Sequence, residues 1–167
     1  LALPLAAFEA TGKSEQGDRA RAVAAPSFAV AKAPPSGWPQ DGCMLHEFSD
    51  HEGAGGSDPV CSPWMSALFA DAAFRYYIHS EDPAALEFLA GLGSYVQKLG
   101  LYSDSIDGEA RVLPWYLSSS VIQFSDAGPY DDIEHTCDVG GIVAREAWAQ
   151  KPLGGDATEL SATADDL

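Results

Sequence analysis

Residues 62–77, SPWMSALFADAAFRYY, and residues 82–96, DPAALEFLAGLGSYV, decide the fold. Each stretch opens with a residue that can cap a helix, Ser62 or Asp82, followed by a proline at the first helical position. Apolar side chains then recur at three- and four-residue spacing, which is the period of an amphipathic helix. Gly100 is placed to end the second helix in a left-handed conformation. The sequence therefore predicts an antiparallel helical hairpin with a short connector.

Two more helices are predicted towards the carboxyl end. A polar loop over residues 102–111 leads to a third helix at about 114–124, and a glycine- and aspartate-rich break leads to a fourth at about 131–150. Cys137 lies on an apolar face of the fourth helix, where we expect a small buried hydrophobe. The predicted fold class is all-α, with about four helices in antiparallel hairpins over residues 62–150.

The flanking segments lack this period. Residues 1–61 are predicted to be an irregular N-terminal segment with short strands at 27–32 and 43–48, separated by turn-forming residues. Residues 151–167 are acidic and aperiodic, which predicts a disordered tail. The predicted organisation is therefore a helical domain over residues 62–150 between two less regular segments.

Charge narrows the classes of partner. Nine basic and 25 acidic side chains give a formal net charge of -16. A field of that sign repels nucleic-acid phosphates and anionic lipid surfaces, so neither nucleic acid nor a membrane is an expected partner. No apolar run approaches the roughly 20 residues that a membrane span needs. The chain begins at Leu1, which favours a processed chain or a fragment whose partner is the remainder of a longer parent chain.

Three cysteines allow at most one disulfide within the chain. Cys43 and Cys61 bracket a Gly- and Pro-rich stretch that has little hydrophobic means of holding itself together, and closing a loop of that length would add about 3 kcal/mol. A disulfide there would indicate an oxidising compartment, and we expect a secreted or periplasmic protein. Two reduced thiols remain the alternative. No Cys/His zinc spacing occurs, so no metal cofactor is predicted.

Ionisable residues crowd the start of the fourth predicted helix. Because a helix turns by 100° per residue, four of these side chains should fall within one narrow wedge: Asp131, Glu134, His135 and Asp138. A carboxylate beside an imidazole would orient it as a general base. We therefore predict that His135, Asp138, Asp131 and the adjacent Tyr130 are catalytic. The alternatives are that the acids only complement the helix dipole and solvate an exposed end, or that they hold a calcium ion for stability.

Residues 46–52, HEFSDHE, form a second dense group of histidines and acids. Their spacing matches no metal-binding motif, and a solvated acidic loop is the alternative. If this loop folds over the start of the fourth helix, His46 or His51 would face His135 and Asp138 across a cleft. We predict that both histidines contact substrate.

Aromatic residues in loops and at helix starts complete the predicted site. Indole and phenol rings are apolar on their faces and polar at one edge, which suits them to stack on the C–H faces of sugars. Trp115 and Tyr116 are placed best for that role and are predicted to bind substrate. Trp64 and Trp148 have helical neighbours and are interpreted as core residues instead.

The succession of residues 62–77, 82–96 and 130–148 resembles part of an α/α toroid, the helical-hairpin barrel of glycoside hydrolases and polysaccharide lyases. In those families catalytic carboxylates, histidines and tyrosines gather at one end of the inner helices, which by resemblance favours the same residues at the start of the fourth helix. About four helices cannot close a ring of twelve, so the rest of the ring is missing or the chain is an independent bundle.

The resemblance implies a carbohydrate-active protein that performs glycosidic bond hydrolysis or β-elimination on a polysaccharide. The alternative is a non-catalytic helical binding or scaffold module whose acidic cluster is solvated or binds calcium. A fold-level resemblance does not by itself decide between them.

Overall fold

The computed structural model describes residues 1–52 and 56–167 and is mostly helical. Its α-helices are α1 (Ala2–Thr11), α2 (Ser14–Lys32), α3 (Phe48–Glu52), α4 (Pro63–Ser80), α5 (Pro83–Tyr95), α6 (Pro129–Asp132), α7 (Thr136–Leu153) and α8 (Thr158–Asp166). Its strands are β1 (His46–Glu47), β2 (Pro59–Val60), β3 (Leu101–Ile106), β4 (Glu109–Pro114), β5 (Leu117–Ser118) and β6 (Gln123–Phe124). The predicted helical character is confirmed, but helices also lie outside residues 62–150 and short antiparallel strands interrupt them.

The predicted helical hairpin is present as α4 and α5. The hydroxyl of Ser62 accepts a hydrogen bond from the backbone N–H of Met65 at 3.3 Å, and the carboxylate of Asp82 accepts one from Ala84 at 3.0 Å. Both caps therefore act as the sequence predicted. The prediction that the helix ends at Gly100 in a left-handed conformation is wrong. A π-helical turn extends α5 to that residue, and the chain then enters β3 in extended conformation.

Helices α1 and α2 correct the predicted irregular structure of the N-terminal part and the predicted strand at 27–32, whereas residues 33–42 are irregular as predicted. Leu5 of α1 and Phe28 of α2 are almost fully buried in the same core as the hairpin. Phe28 stacks on Phe88 of α5 with ring centroids 5.1 Å apart. Alanine-rich sequence favours helix but carries little periodic signal, so packing against α5 decides this element. Of the strand predicted at 43–48, the two residues of β1 are extended and pair with β2.

A β-hairpin, β3–β4, occupies the predicted polar loop at 102–111. The two strands pair in antiparallel register from Leu101 with Pro114 to Ile106 with Glu109. Asp107 and Gly108 form the turn with positive φ angles of 54° and 84°. An Asp-Gly pair favours the tight turn whose twist matches two antiparallel strands, so this signal was present in the sequence and was missed.

The third predicted helix, 114–124, is wrong. This segment contains β5 and β6, which pair with each other, and Cys61 forms an isolated bridge to Ser118. Three consecutive serines and several β-branched residues oppose a helix here. Tyr95 of α5 also contacts this segment, because its buried hydroxyl lies 2.6 Å from the hydroxyl of Ser118 and forms a hydrogen bond with it.

The fourth predicted helix begins in separate pieces. Gly128, at φ 97°, precedes α6; a 3-10 turn, Ile133–His135, follows; and α7 runs from Thr136 to Leu153. Cys137 is exposed, which corrects the expected buried thiol. The face of α7 that packs in the core instead carries Val139, Ile142 and Val143, all 0% exposed.

The predicted disordered tail contains α8, which packs along α7. Leu160 of α8 is 5% exposed and belongs to the hydrophobic core. Gly140 of α7 permits this approach, since a Cβ there would lie 3.3 Å from the Cβ of Leu167. The core therefore takes residues from all three segments into which the sequence was divided. Of the helices described, none is long and apolar enough to span a membrane.

Cys43 and Cys61 form a disulfide, which decides the alternative left open by the sequence. Both residues are buried, at 1% and 0% exposure. The bond joins the loop before β1 to the residue that precedes the cap of α4. It therefore positions β1 and α3 beside the first turn of α4.

Candidate functional site

Four half-buried ring residues from separate parts of the chain meet beside the first turn of α4. We call this group the ring cluster; it consists of His51, Trp64, Tyr116 and His135. His51 lies on α3, Trp64 in the first turn of α4, Tyr116 between β4 and β5, and His135 in the 3-10 turn before α7. Three of the four were predicted site residues.

Trp64 is the centre of the ring cluster. The imidazole of His135 lies nearly parallel to its indole, with centroids 4.6 Å apart and planes inclined by 12°. Tyr116 lies 5.9 Å away at 28°, and His51 approaches edge-on at 6.2 Å. The capping of α4 by Ser62 fixes where this first turn lies. Sequence reasoning assigned Trp64 to the core, and no spacing signal marked it as part of a site.

His51 and Tyr116 form the polar contact of the ring cluster. The Nε2 atom of His51 lies 3.3 Å from the hydroxyl of Tyr116, and the two ring centroids are 5.2 Å apart. His46 stacks on His51, with ring centroids 5.6 Å apart. His51 and His135 contact the same indole, so the segment at 46–52 lies beside the start of the fourth predicted helix, while substrate contact by the two histidines stays a prediction.

The predicted carboxylates lie at the protein surface, and their part in catalysis with His135 stays a prediction. Asp131 and Asp138 are exposed, as is Glu134. Tyr130 is 60% exposed, and its hydroxyl donates a hydrogen bond to Asp107 at 2.8 Å. The predicted wedge assumed one continuous helix, whereas the break between α6, the 3-10 turn and α7 alters the 100° phase between these side chains.

A buried carboxylate, Asp132, lies three residues before His135 and was not among the predicted site residues. Asp132 is 1% exposed, and its Oδ2 atom accepts hydrogen bonds from Tyr102 at 2.5 Å and from Ser125 at 2.6 Å. Burial, together with the bond to this carboxylate, raises the pKa of Tyr102. Trp115, a predicted substrate-binding residue, stacks on Tyr102 at 4.1 Å rather than joining the ring cluster. This group anchors α6 to β3.

The ring cluster consists of two imidazoles, an indole and a phenol. Its described contacts are between rings, an imidazole nitrogen and a phenol. Within residues 1–52 and 56–167, no group of three or more His, Cys, Asp or Glu side chains is arranged to hold a metal ion. Calcium at the acidic residues of the fourth helix stays a prediction.

No protein-family model, curated protein or solved structure matches this chain significantly. The resemblance to α/α toroids therefore stays a prediction, and function is argued from the geometry of the site.

Proposed function

We propose that this chain binds a carbohydrate at the ring cluster. The observation that carries the proposal is the meeting of four half-buried rings, with centroid separations from 4.6 Å for Trp64 and His135 to 6.5 Å for Tyr116 and His135. The exposed parts of these half-buried rings suit the apolar C–H faces of a sugar, while imidazole nitrogens and a phenol can exchange hydrogen bonds with its hydroxyls. A mostly apolar site with a few polar groups is the usual composition of a small-molecule pocket.

The charge of the protein selects the class of sugar. A net charge of -16 opposes the approach of uronic acid polymers, whose carboxylates carry the same sign. Neutral sugars are not repelled, and amino sugars are attracted. The proposed ligand is therefore a neutral or amino-sugar oligosaccharide.

Cleavage of that carbohydrate is the second candidate function, favoured by the contact between His51 and Tyr116. Two titratable groups 3.3 Å apart are within the looser range seen for acid–base pairs before substrate binds. β-Elimination removes a proton beside a uronic carboxyl group, a substrate that the net charge disfavours. The cleavage reaction proposed is hydrolysis: the pair gives a proton to the leaving glycosidic oxygen, water adds to the anomeric carbon, and the proton lost by that water returns to the pair.

A secreted or periplasmic location is part of this proposal. The buried disulfide between Cys43 and Cys61 supports it, because such bonds persist mainly in oxidising compartments.

Titration calorimetry against neutral, amino and uronic oligosaccharides, combined with chromatographic product analysis, tests the proposal. His135→Ala removes one face of the stack, and Tyr116→Phe removes the hydroxyl while keeping the ring. His79→Ala is the matched control, because this exposed histidine pairs with Glu9 away from the ring cluster.

We expect binding of a neutral or amino sugar that weakens at least about fivefold in His135→Ala and is unchanged in His79→Ala, since each hydrogen-bonding or stacking anchor contributes about 1 kcal/mol or more. Product that disappears in Tyr116→Phe supports hydrolysis, whereas binding without product supports a binding module. Absence of binding to every neutral and amino sugar in the panel overturns the proposal.

A further inference from the structure

Both methionines of this chain line one surface groove together with a histidine. The groove has a volume of about 400 Å³ and is lined by Met44, His46 and Met65. Its remaining wall is mainly apolar and comes from Val30, Leu45 and Phe69. Met65 is 45% exposed, which is unusual for an apolar side chain in the first turn of a core helix. The groove therefore gathers two thioethers and an imidazole at a site open to solvent.

The backbone holds these three residues in place. Met44 and His46 are two residues apart where the chain enters β1, and both residues line the groove. Met65 lies in the first turn of α4, where its N–H is bound by Ser62. The disulfide directly joins the two segments, since Cys43 precedes Met44 and Cys61 precedes the cap of α4. The arrangement is fixed before any ligand arrives.

His46 carries the donor atom of a metal ligand. Its Nε2 atom is buried and has no hydrogen-bond partner among the described residues. Its other ring nitrogen, Nδ1, lies 3.4 Å from the carbonyl oxygen of Met44. Histidines that bind metals typically donate the other ring N–H to a carbonyl or carboxylate, which orients the ring and leaves the opposite nitrogen as donor.

We propose that Met44, His46 and Met65 form a binding site for the monovalent soft ion Cu(I). Thioether sulfur is a soft ligand that favours Cu(I) over hard divalent ions, and imidazole binds copper readily. The apolar wall suits an ion of single charge with few ligands, because burying a divalent ion without carboxylates is more costly. The copper site adjoins the ring cluster, because His46 stacks on His51, but none of its three proposed ligands is a member of that cluster.

The test begins with Ag(I), which has the same ligand preference as Cu(I) and needs no reductant. The background is Cys137→Ser, because the exposed thiol of Cys137 would itself bind a soft ion. In protein labelled with ¹³C at the methionine methyl groups, the two methionines give two signals. We expect one equivalent of Ag(I) to shift both signals, and unchanged methyl signals would overturn the site.

Affinity for Cu(I) is then measured by competition with a chromophoric chelator, with ascorbate as the reductant so that the disulfide stays intact. Met44→Leu and Met65→Leu keep the apolar packing but remove sulfur, and His46→Gln removes the imidazole. Each should weaken Cu(I) binding by at least about tenfold, while His79→Gln leaves it unchanged. Equal affinity for Cu(I) in Met44→Leu/Met65→Leu and in the parent protein would overturn the proposal. Zn(II) serves as the check on metal selectivity and should bind more weakly than Cu(I).

Discussion

The imidazole of His135 lies parallel to the indole of Trp64, with ring centroids 4.6 Å apart. Stacked pairs of this kind contribute about 0.5–1.5 kcal/mol beyond the area that they bury. We therefore expect His135→Ala to lower the free energy of unfolding by about 1 kcal/mol in urea titrations. An unchanged free energy of unfolding would show that the stack does not stabilise the fold.

Glu146 predicts a pH dependence of stability. This residue of α7 is 3% exposed and packs against Gly93 of α5. Burial raises the pKa of its carboxyl group to about 7. Between the unfolded value of 4.5 and about 7 the folded state binds the extra proton, so this group's contribution to stability decreases as pH rises through that window. Glu146→Gln should therefore stabilise the protein more at pH 8 than at pH 5, by on the order of 2 kcal/mol in denaturant titrations.

The matched control for that measurement is Glu134→Gln, because Glu134 is exposed in the 3-10 turn. Its effect should be the same at both pH values. If Glu146→Gln also has the same effect at both, the carboxyl group does not take up a proton on folding in this range.

Gly93 should not tolerate a side chain. A Cβ at this position would lie 2.0 Å from Oε2 of Glu146 and 2.4 Å from its Cβ, so α5 and α7 would have to separate. Gly93→Ala is expected to destabilise by about 1–3 kcal/mol, the usual cost of overpacking, as measured by thermal or denaturant unfolding.

Gly91 of the same helix provides the comparison. There a new Cβ would meet only the carbonyl oxygen of Gly42 at 3.7 Å, an ordinary contact. Gly91→Ala should be neutral or stabilising by up to about 1 kcal/mol, because alanine favours helix over glycine. A destabilisation as large as that of Gly93→Ala would contradict the assigned packing.

Loss of the disulfide should be costly. The loop between Cys43 and Cys61 spans 18 residues, and opening it by Cys43→Ser/Cys61→Ser should lower the free energy of unfolding by about 3 kcal/mol. Cys137→Ser, at an exposed thiol, should change it little. A thiol assay of the unfolded, unreduced protein should detect one thiol, rising to three after reduction; three before reduction would exclude the bond.

The site could be predicted from sequence only in part. His51, Tyr116 and His135 were selected from their residue types and positions, and the structure places all three against Trp64. Trp64 itself was interpreted as core, because its helical neighbours give the same pattern in either case. Asp132 was missed because its partners, Tyr102 and Ser125, lie outside its own helix.

By itself the sequence determined the starts of α4 and α5 and the helical content of α7, because a cap, a proline and a periodic apolar face act within a few turns of one helix. Only the tertiary structure decided the helices at both ends, the β-strands at 101–124 and the ring cluster. These depend on contacts between distant segments, such as that of His51 with Tyr116, 65 residues apart, and no local period records which distant surface will cover a segment.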